Sequence, residues 1–201
     1  MITAKTKDGE SAIEIQGRKV WITRGSRLEA ARRLERTGKS SSWVVLLSSL
    51  ALVAVSIALF LPETSIHASA RAFAELGALV GSVAILLVGI VEQGKSYELR
   101  ADRHHRAAME LNQLSDRIRA SASATAEEFA EDYHRIVRSF PDNHEPIDYH
   151  MFAVRHPQDF TLSWYEPLKV RFWWHTVANV PWLILGAVIW LLTWLLPRLT
   201  G

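Results

Sequence analysis

The sequence predicts an all-α membrane protein, and three observations lead there. Residues 42–61, SWVVLLSSLALVAVSIALFL, carry no charge. Residues 72–91 are again apolar, interrupted only by Glu75. A short polar link, PETSIHASAR, joins the two. Roughly 20 apolar residues carry a helix across the hydrocarbon core, so each segment is long enough to span once. So short a link leaves the two antiparallel, as a transmembrane helical hairpin. Around it we expect an N-terminal amphipathic helix, a cytoplasmic helical pair and a C-terminal third transmembrane helix. The corresponding divisions are residues 1–41, 42–91, 92–170 and 171–201.

Composition alone conceals this. The 201 residues are 49% hydrophobic with a net charge of +2, the profile of an ordinary soluble domain, because the charged residues fall between the apolar blocks. The absence of cysteine excludes disulfides, thiolate metal sites and a cysteine nucleophile. The first span is not expected to be a cleavable signal peptide. It is too long, lacks a small-residue cleavage site and follows a long, mostly polar segment.

The third segment, residues 172–197, contains no Asp, Glu, Lys or Arg. Trp173, Trp174, Trp190 and Trp194 lie towards its ends, where amphipathic rings favour the headgroup level. Pro181 is compatible with a membrane helix, because neighbouring groups re-satisfy the carbonyl it frees. A span over residues 177–196 is expected. The alternative, a helix lying in the interface, would normally bring a charged face, which this segment lacks.

Basic residues set the expected orientation. Arg18, Lys19, Arg24, Arg27, Arg32, Arg33, Arg36 and Lys39 precede the first span, and Lys95, Arg100, Arg103 and Arg106 follow the second. The link offers only Arg71. The positive-inside rule then puts the N-terminus and the middle region of this multi-pass protein in the cytoplasm. The arginines before the first span either grip anionic headgroups or serve only to fix topology.

Local structure in the polar regions is readable. Residues 12–22 alternate weakly and suggest a small hairpin around Gly17. Ser26-Arg27-Leu28-Glu29 matches a capping box that would open a short basic helix, with Gly38 to close it. The helical pattern of the second span continues through residues 92–119, with Gly94 its weak point. Thr125-Ala126-Glu127-Glu128 is a second capping box, starting a helix with Phe129, Tyr133, Ile136, Val137 and Phe140 on one stripe. Pro141 ends that helix, and the two helices are expected to pack as an antiparallel pair. Residues 143–149 read as a turn capped by Asn143 and Asp148, with Tyr149 packed on the pair. Residues 151–169, with two prolines, read as an irregular linker in which Trp164 and Tyr165 dock at the interface.

This order of elements carries a resemblance. An arginine-rich helix, two closely spaced membrane helices, a helical extension, then a tyrosine helix running into Asn143, His144, Asp148 and Tyr149 resembles the SLATT family, the SMODS- and SLOG-associating two-transmembrane effector domains. The resemblance covers approximately residues 21–149, and a third C-terminal helix is similar to what some subfamilies carry. It implies a membrane effector of bacterial anti-phage defence that oligomerises and breaches the inner membrane, causing cell death or dormancy. It also implies a cytoplasmic activator: a nucleotide second messenger, or a protein such as a nucleotidyltransferase or reverse transcriptase.

Residue spacing defines two groups of candidate residues. Ser42, Ser49 and Ser56 recur every seven residues on the first span, and Glu75, Ser82 and Gly89 do the same on the second. In an oligomer such faces would line a polar path, with Glu75 as an acidic ring. Small residues equally allow close helix packing, and Gly77 and Gly81 form a small-xxx-small motif. The second group, Tyr133, Asn143, His144, Asp148 and Tyr149, is either structural or a partner site. The histidines lack metal-ligand spacing, and no HExxH, phosphate loop or nucleophile elbow occurs. Neither catalysis, a metal, a cofactor nor direct nucleic-acid binding is therefore expected. Two readings remain: a pore-forming effector, or a non-conducting membrane scaffold or sensor subunit that anchors a partner enzyme.

Overall fold

The computed structural model describes residues 2–5, 9–60, 68–120, 125–183 and 185. The described chain is almost entirely helical, as an all-α membrane protein requires. Its elements are β1 (Thr3–Ala4), α1 (Ala12–Phe60), α2 (Ala68–Gly94), α3 (Tyr97–Ala120), α4 (Ala126–Ser139), α5 (Pro146–Arg155), β2 (Phe160–Thr161) and α6 (Glu166–Ala178). Two compact units emerge: Met1–Arg36 with Tyr97–Ala178, and Thr37–Ser96 with Asn179–Gly201.

α1 departs from the expected N-terminal region. Neither a hairpin around Gly17 nor a helix starting at Ser26 forms; one helix runs from Ala12 through both positions and through Gly38. A capping box does start it, but at Ser11 and Glu14. Ser11 N–H donates to Glu14 Oε2 at 2.8 Å, and Glu14 N–H donates to Ser11 Oγ at 3.3 Å. Ser26 lies mid-helix, where its hydroxyl donates to the Ile22 carbonyl at 2.9 Å. Residues 12–22 also satisfy the helical period. Ile13 and Val20 lie on one face and pack into a core, a tertiary gain that overrides weak alternation.

In the first unit that core joins Val20 of α1 to Leu111, Leu114 and Ile118 of α3 and to Phe129, Tyr133 and Ile136 of α4. The α4 stripe is the one its sequence spacing indicates. Thr125 caps α4, its Oγ1 accepting from Glu128 N–H at 3.3 Å. Ion pairs Arg117–Asp132, at 2.5 Å, and Arg103–Asp142, at 3.2 Å, tie the ends of α3 and α4 in antiparallel register. The expected pair is thus a three-helix arrangement, with α1 as its third member. The helix through residues 92–119 is not continuous with the second span. α2 stops at Gly94, and Ser96, at φ 48°, turns the chain before α3 begins. The left-handed residue is therefore Ser96, not the glycine.

Residues 143–169 are more ordered than a turn and a linker. Pro146 occupies the first turn of α5, where its missing N–H costs nothing, and Asp148 sits inside that helix. β2 pairs antiparallel with β1, Thr3 opposite Thr161 and Ala4 opposite Phe160. Phe160 and Phe152 pack with Trp21 of α1, the Trp21 and Phe152 rings 4.7 Å apart edge to face. Val170 and Trp174 of α6 close a further core with Met151 and Val154 of α5.

In the second unit α1 and α2 pass close together. A Cβ built on Gly81 would lie 3.3 Å from Leu52 Cδ1, and one on Gly89 3.8 Å from Val45 Cγ1. Both helices are long and apolar enough to cross a membrane. None of the most apolar stretch of α2 is buried, and only 11% of that of α1, so neither is the core helix of a soluble protein. The expected third span, residues 177–196, lies largely outside the described residues, as do residues 61–67; the last four residues of the expected link, 68–71, belong to α2.

Gly25 allows α5 to approach α1, since a Cβ there would lie 2.1 Å from Phe152 Cε2. Gly17 has ordinary space, its nearest neighbour Ile118 Cγ2 at 3.6 Å. Gly25→Ala should therefore cost about 1–3 kcal/mol through overpacking. Gly17→Ala should be neutral or gain up to about 1 kcal/mol from helix propensity. Thermal unfolding of the detergent-solubilised protein, followed by circular dichroism, distinguishes the two.

Candidate functional site

The first unit holds a buried charge network built on one face of α1. Asp148, on the first turn of α5, is 0% exposed. Its Oδ1 accepts from Arg33 Nε at 2.8 Å and its Oδ2 from Arg33 Nη2 at 3.1 Å. Oδ2 also accepts from Glu145 N–H at 3.0 Å, so one carboxylate caps α5 and neutralises an arginine. Glu145 adds a second anion 2.9 Å from Arg33 Nη2. Burial alone would pull the Arg33 guanidinium down, but its bonds and charge interactions with Asp148 and Glu145 outweigh this and raise it.

Around this pair lie further buried polar groups. Arg27 is 2% exposed and donates from Nη2 to the Phe140 carbonyl at 3.2 Å. Its Nε and Nη1 have no partner among the described residues. Burial lowers its affinity for a proton, with Tyr133 and Asp142 opposing. His104 of α3 is 1% exposed, and His144 precedes α5. Burial first and Arg27 second hold both imidazoles below their ordinary value, His104 at about 4. Glu29, also buried, accepts from Arg32 at 2.6 Å and faces Arg155 at 3.4 Å.

The sequence-derived turn residues separate in this setting. Asp148 is at the centre of the network and His144 at its edge. Tyr133 is buried in the α3–α4 core, its hydroxyl 3.1 Å from Thr23 Oγ1 and its ring beneath Lys19. Tyr149 packs edge to face on Phe160 at 5.9 Å, and Asn143 is exposed. Of the α1 arginines that the sequence gives to headgroups or to topology, Arg24, Arg27 and Arg33 have partners within the protein: Arg24 bonds Asn112 of α3, Arg27 the Phe140 carbonyl and Arg33 Asp148. A signal for this does exist in the sequence. Val20, Arg27, Ala30, Ala31 and Leu34 recur at helical spacing, placing an arginine on the face that the small buried residues mark as core.

The hairpin candidates form a second cluster. Leu52, Ser56 and Phe60 of α1 and Glu75, Ala78, Leu79 and Ser82 of α2 line a groove of about 320 Å³. The hydroxyls of Ser49, Ser56 and Ser82 donate to carbonyls of their own helices at 2.7–2.9 Å. Each donor is thus satisfied without water while its acceptor lone pairs remain available. Glu75 accepts from Arg71 one turn earlier, at 3.1 Å. Gly77 meets open space where Gly81 meets Leu52, so the two glycines of the motif have different surroundings. Ser41 Oγ donates to Glu92 Oε2 at 2.8 Å, linking α1 to α2.

A family model described as SMODS and SLOG-associating 2TM effector domain family 5 matches residues 10–198. The chain belongs to this family. No curated protein and no solved structure matches it. Family membership and the two apolar helices make the chain a membrane-localised two-transmembrane effector domain. No group of three or more His, Cys, Asp or Glu able to hold a metal occurs among the described residues. Among the described residues, this network joins buried charges of α1 and α5, Arg33 to Asp148, with buried His104 of α3 near Arg27.

Removing one member of the Arg33–Asp148 pair leaves the other buried and uncompensated. Asp148→Ala should cost about 3–5 kcal/mol, whereas Arg33→Met with Asp148→Leu should recover most of that loss. Chemical unfolding of the purified protein in detergent measures both.

His104 makes stability depend on pH. The unfolded chain protonates this imidazole near 6.5 and the native chain only near 4. The unfolded state therefore binds more protons between those values, and stability falls as pH drops through that window. The part due to His104 should be on the order of 2 kcal/mol between pH 7.5 and pH 5, and His104→Gln should reduce the dependence, leaving that of His144. Unfolding curves at the two pH values for both proteins give the comparison.

Proposed function

We propose that this chain is an oligomeric, non-enzymatic effector that permeabilises the bacterial inner membrane in anti-phage defence, leading to death or dormancy of the cell. The observation that carries the reading is the apolar hairpin. Its outer faces are unburied in the protomer, and polar Glu75 and Ser82 share one exposed face of α2. A helix pair that hides so little of its own surface has area for both lipid and further copies of itself. The groove bringing Ser56, Glu75 and Ser82 together supports a polar path at that face.

The distribution of basic residues supports a cytoplasmic N-terminus and a cytoplasmic helical unit. That unit is where an activator would act, either a nucleotide second messenger or a partner protein such as a nucleotidyltransferase or reverse transcriptase. The buried network suits a trigger, since a ligand that alters the Arg33–Asp148 contact acts on α1, the helix that supplies the first span. Direct nucleic-acid binding plays no part in this reading. The competing reading, a scaffold or sensor that passes no ions, predicts indifference to substitutions in the hairpin.

Membrane potential in a bacterial host, read with a voltage-sensitive dye after induced expression, tests the proposal. Wild type should depolarise the cells, and Ser82→Leu and Ser56→Leu, at matched membrane levels, should reduce the effect at least about tenfold by closing a polar path. Depolarisation unchanged by either substitution discards this lining and keeps the effector. A wild type that stays silent when co-expressed with its genomic neighbours favours the scaffold.

A further inference from the structure

α6 has two apolar faces, and only one of them is used inside the protein. Val170, Trp174 and Ala178 are buried, the first two against α5. On the other side Leu168 and Phe172, one turn apart, are exposed, as is Trp173. The preceding turn adds Tyr165 and Trp164, and Trp164 is 91% exposed. A surface helix of a soluble domain carries polar residues on its outward face. Here the outward face carries large apolar rings, with Lys169 and Arg171 on either side of the Leu168–Phe172 stripe.

We infer that this outward face of α6, together with the Trp164–Tyr165 turn, seats in the headgroup layer of an anionic lipid leaflet. The residue types are those that favour the membrane–water boundary: aromatic rings with a polar edge, and cations on apolar stems. Charge decides the occupant. Among the described residues neither Lys169 nor Arg171 has an ion-pair partner. The only acid of α6, Glu166, is buried on the opposite side. The patch is therefore cationic and apolar, complementary to anionic headgroups above acyl chains. Against a second copy of itself in a two-fold contact, it would set like charges together. Beyond α6 the chain runs on to Pro197 without an Asp, Glu, Lys or Arg, so the patch adjoins an apolar segment in sequence. The seat rests on membrane localisation alone and is independent of conduction.

The absence of cysteine permits a direct test with single-cysteine variants of the full-length chain. Leu168→Cys, at a position 75% exposed, is labelled with an environment-sensitive nitrobenzoxadiazole probe. The protein is reconstituted into vesicles of phosphatidylcholine and phosphatidylglycerol. Arg106→Cys, on the exposed side of α3, serves as the reference. Lipids carrying a nitroxide near the headgroup should quench the Leu168 probe at least about twofold more than the Arg106 probe. Replacing phosphatidylglycerol by phosphatidylcholine, or introducing Lys169→Gln with Arg171→Gln, should diminish that difference. Equal quenching at the two positions overturns the inference. Quenching indifferent to phosphatidylglycerol overturns the assignment of an anionic leaflet. A shielded Leu168 probe that lipid nitroxides fail to reach, and whose shielding rises with protein density, assigns the face to a second copy instead.

Discussion

The contact between Arg33 and Asp148 constrains much of the helical unit. A carboxylate with no exposed surface is tolerable only if its charge is matched, and here a two-pronged guanidinium and a helix N-terminus match it. That requirement fixes which face of α1 meets α5 and where α5 begins. It also explains the glycine at position 25, because α5 held this close puts the Phe152 ring against the α1 backbone. Burial in the same region disfavours the charged form of His104, and Arg27 adds to this against the opposing pull of Asp142 and Asp148.

The hairpin obeys a different rule. In hydrocarbon the outer side chains need no protein partner, and exposed Leu, Ile and Val on both helices are expected there. What must be satisfied is each polar group, and the serines manage this by turning their hydroxyls onto their own helices. The glycines then let α1 and α2 approach, as small residues do in membrane helices. Packing and a polar path are thus compatible: Ser56 faces α2 and at the same time lines the groove that includes Glu75 and Ser82.

A local motif proved a weaker guide than its surroundings. Ser11–Glu14 and Ser26–Glu29 have the same spacing and the same chemistry, yet only the first opens a helix. The second is occupied on both sides. Ser26 is bonded within α1, and Glu29 is turned toward Arg32 and Arg155. Likewise Gly38 does not stop α1, since one glycine costs only about 1 kcal/mol in a helix held by tertiary contacts. Thr125–Glu128 behaves as its sequence indicates: Thr125 is extended, at φ −85° and ψ 154°, and both reciprocal capping bonds form.

By itself the sequence determined the membrane character, the two spans, the stripe on α4 and the family. The first three depend on hydrophobic runs or periodicity, which are local properties of the chain, and the family on the order of those elements together with the run from Asn143 to Tyr149. Helical spacing marks the core face that carries Arg27, but tertiary structure alone decided the partners of the arginines, because a charged residue is written identically whether it faces lipid, water or a buried carboxylate. Only the fold brings Asp148 to Arg33 across more than a hundred residues of chain. It likewise withdraws Arg27 and His104 from solvent and leaves the aromatic face of α6 outside. Burial and partner choice are long-range outcomes, set by which faces the packed helices turn toward one another.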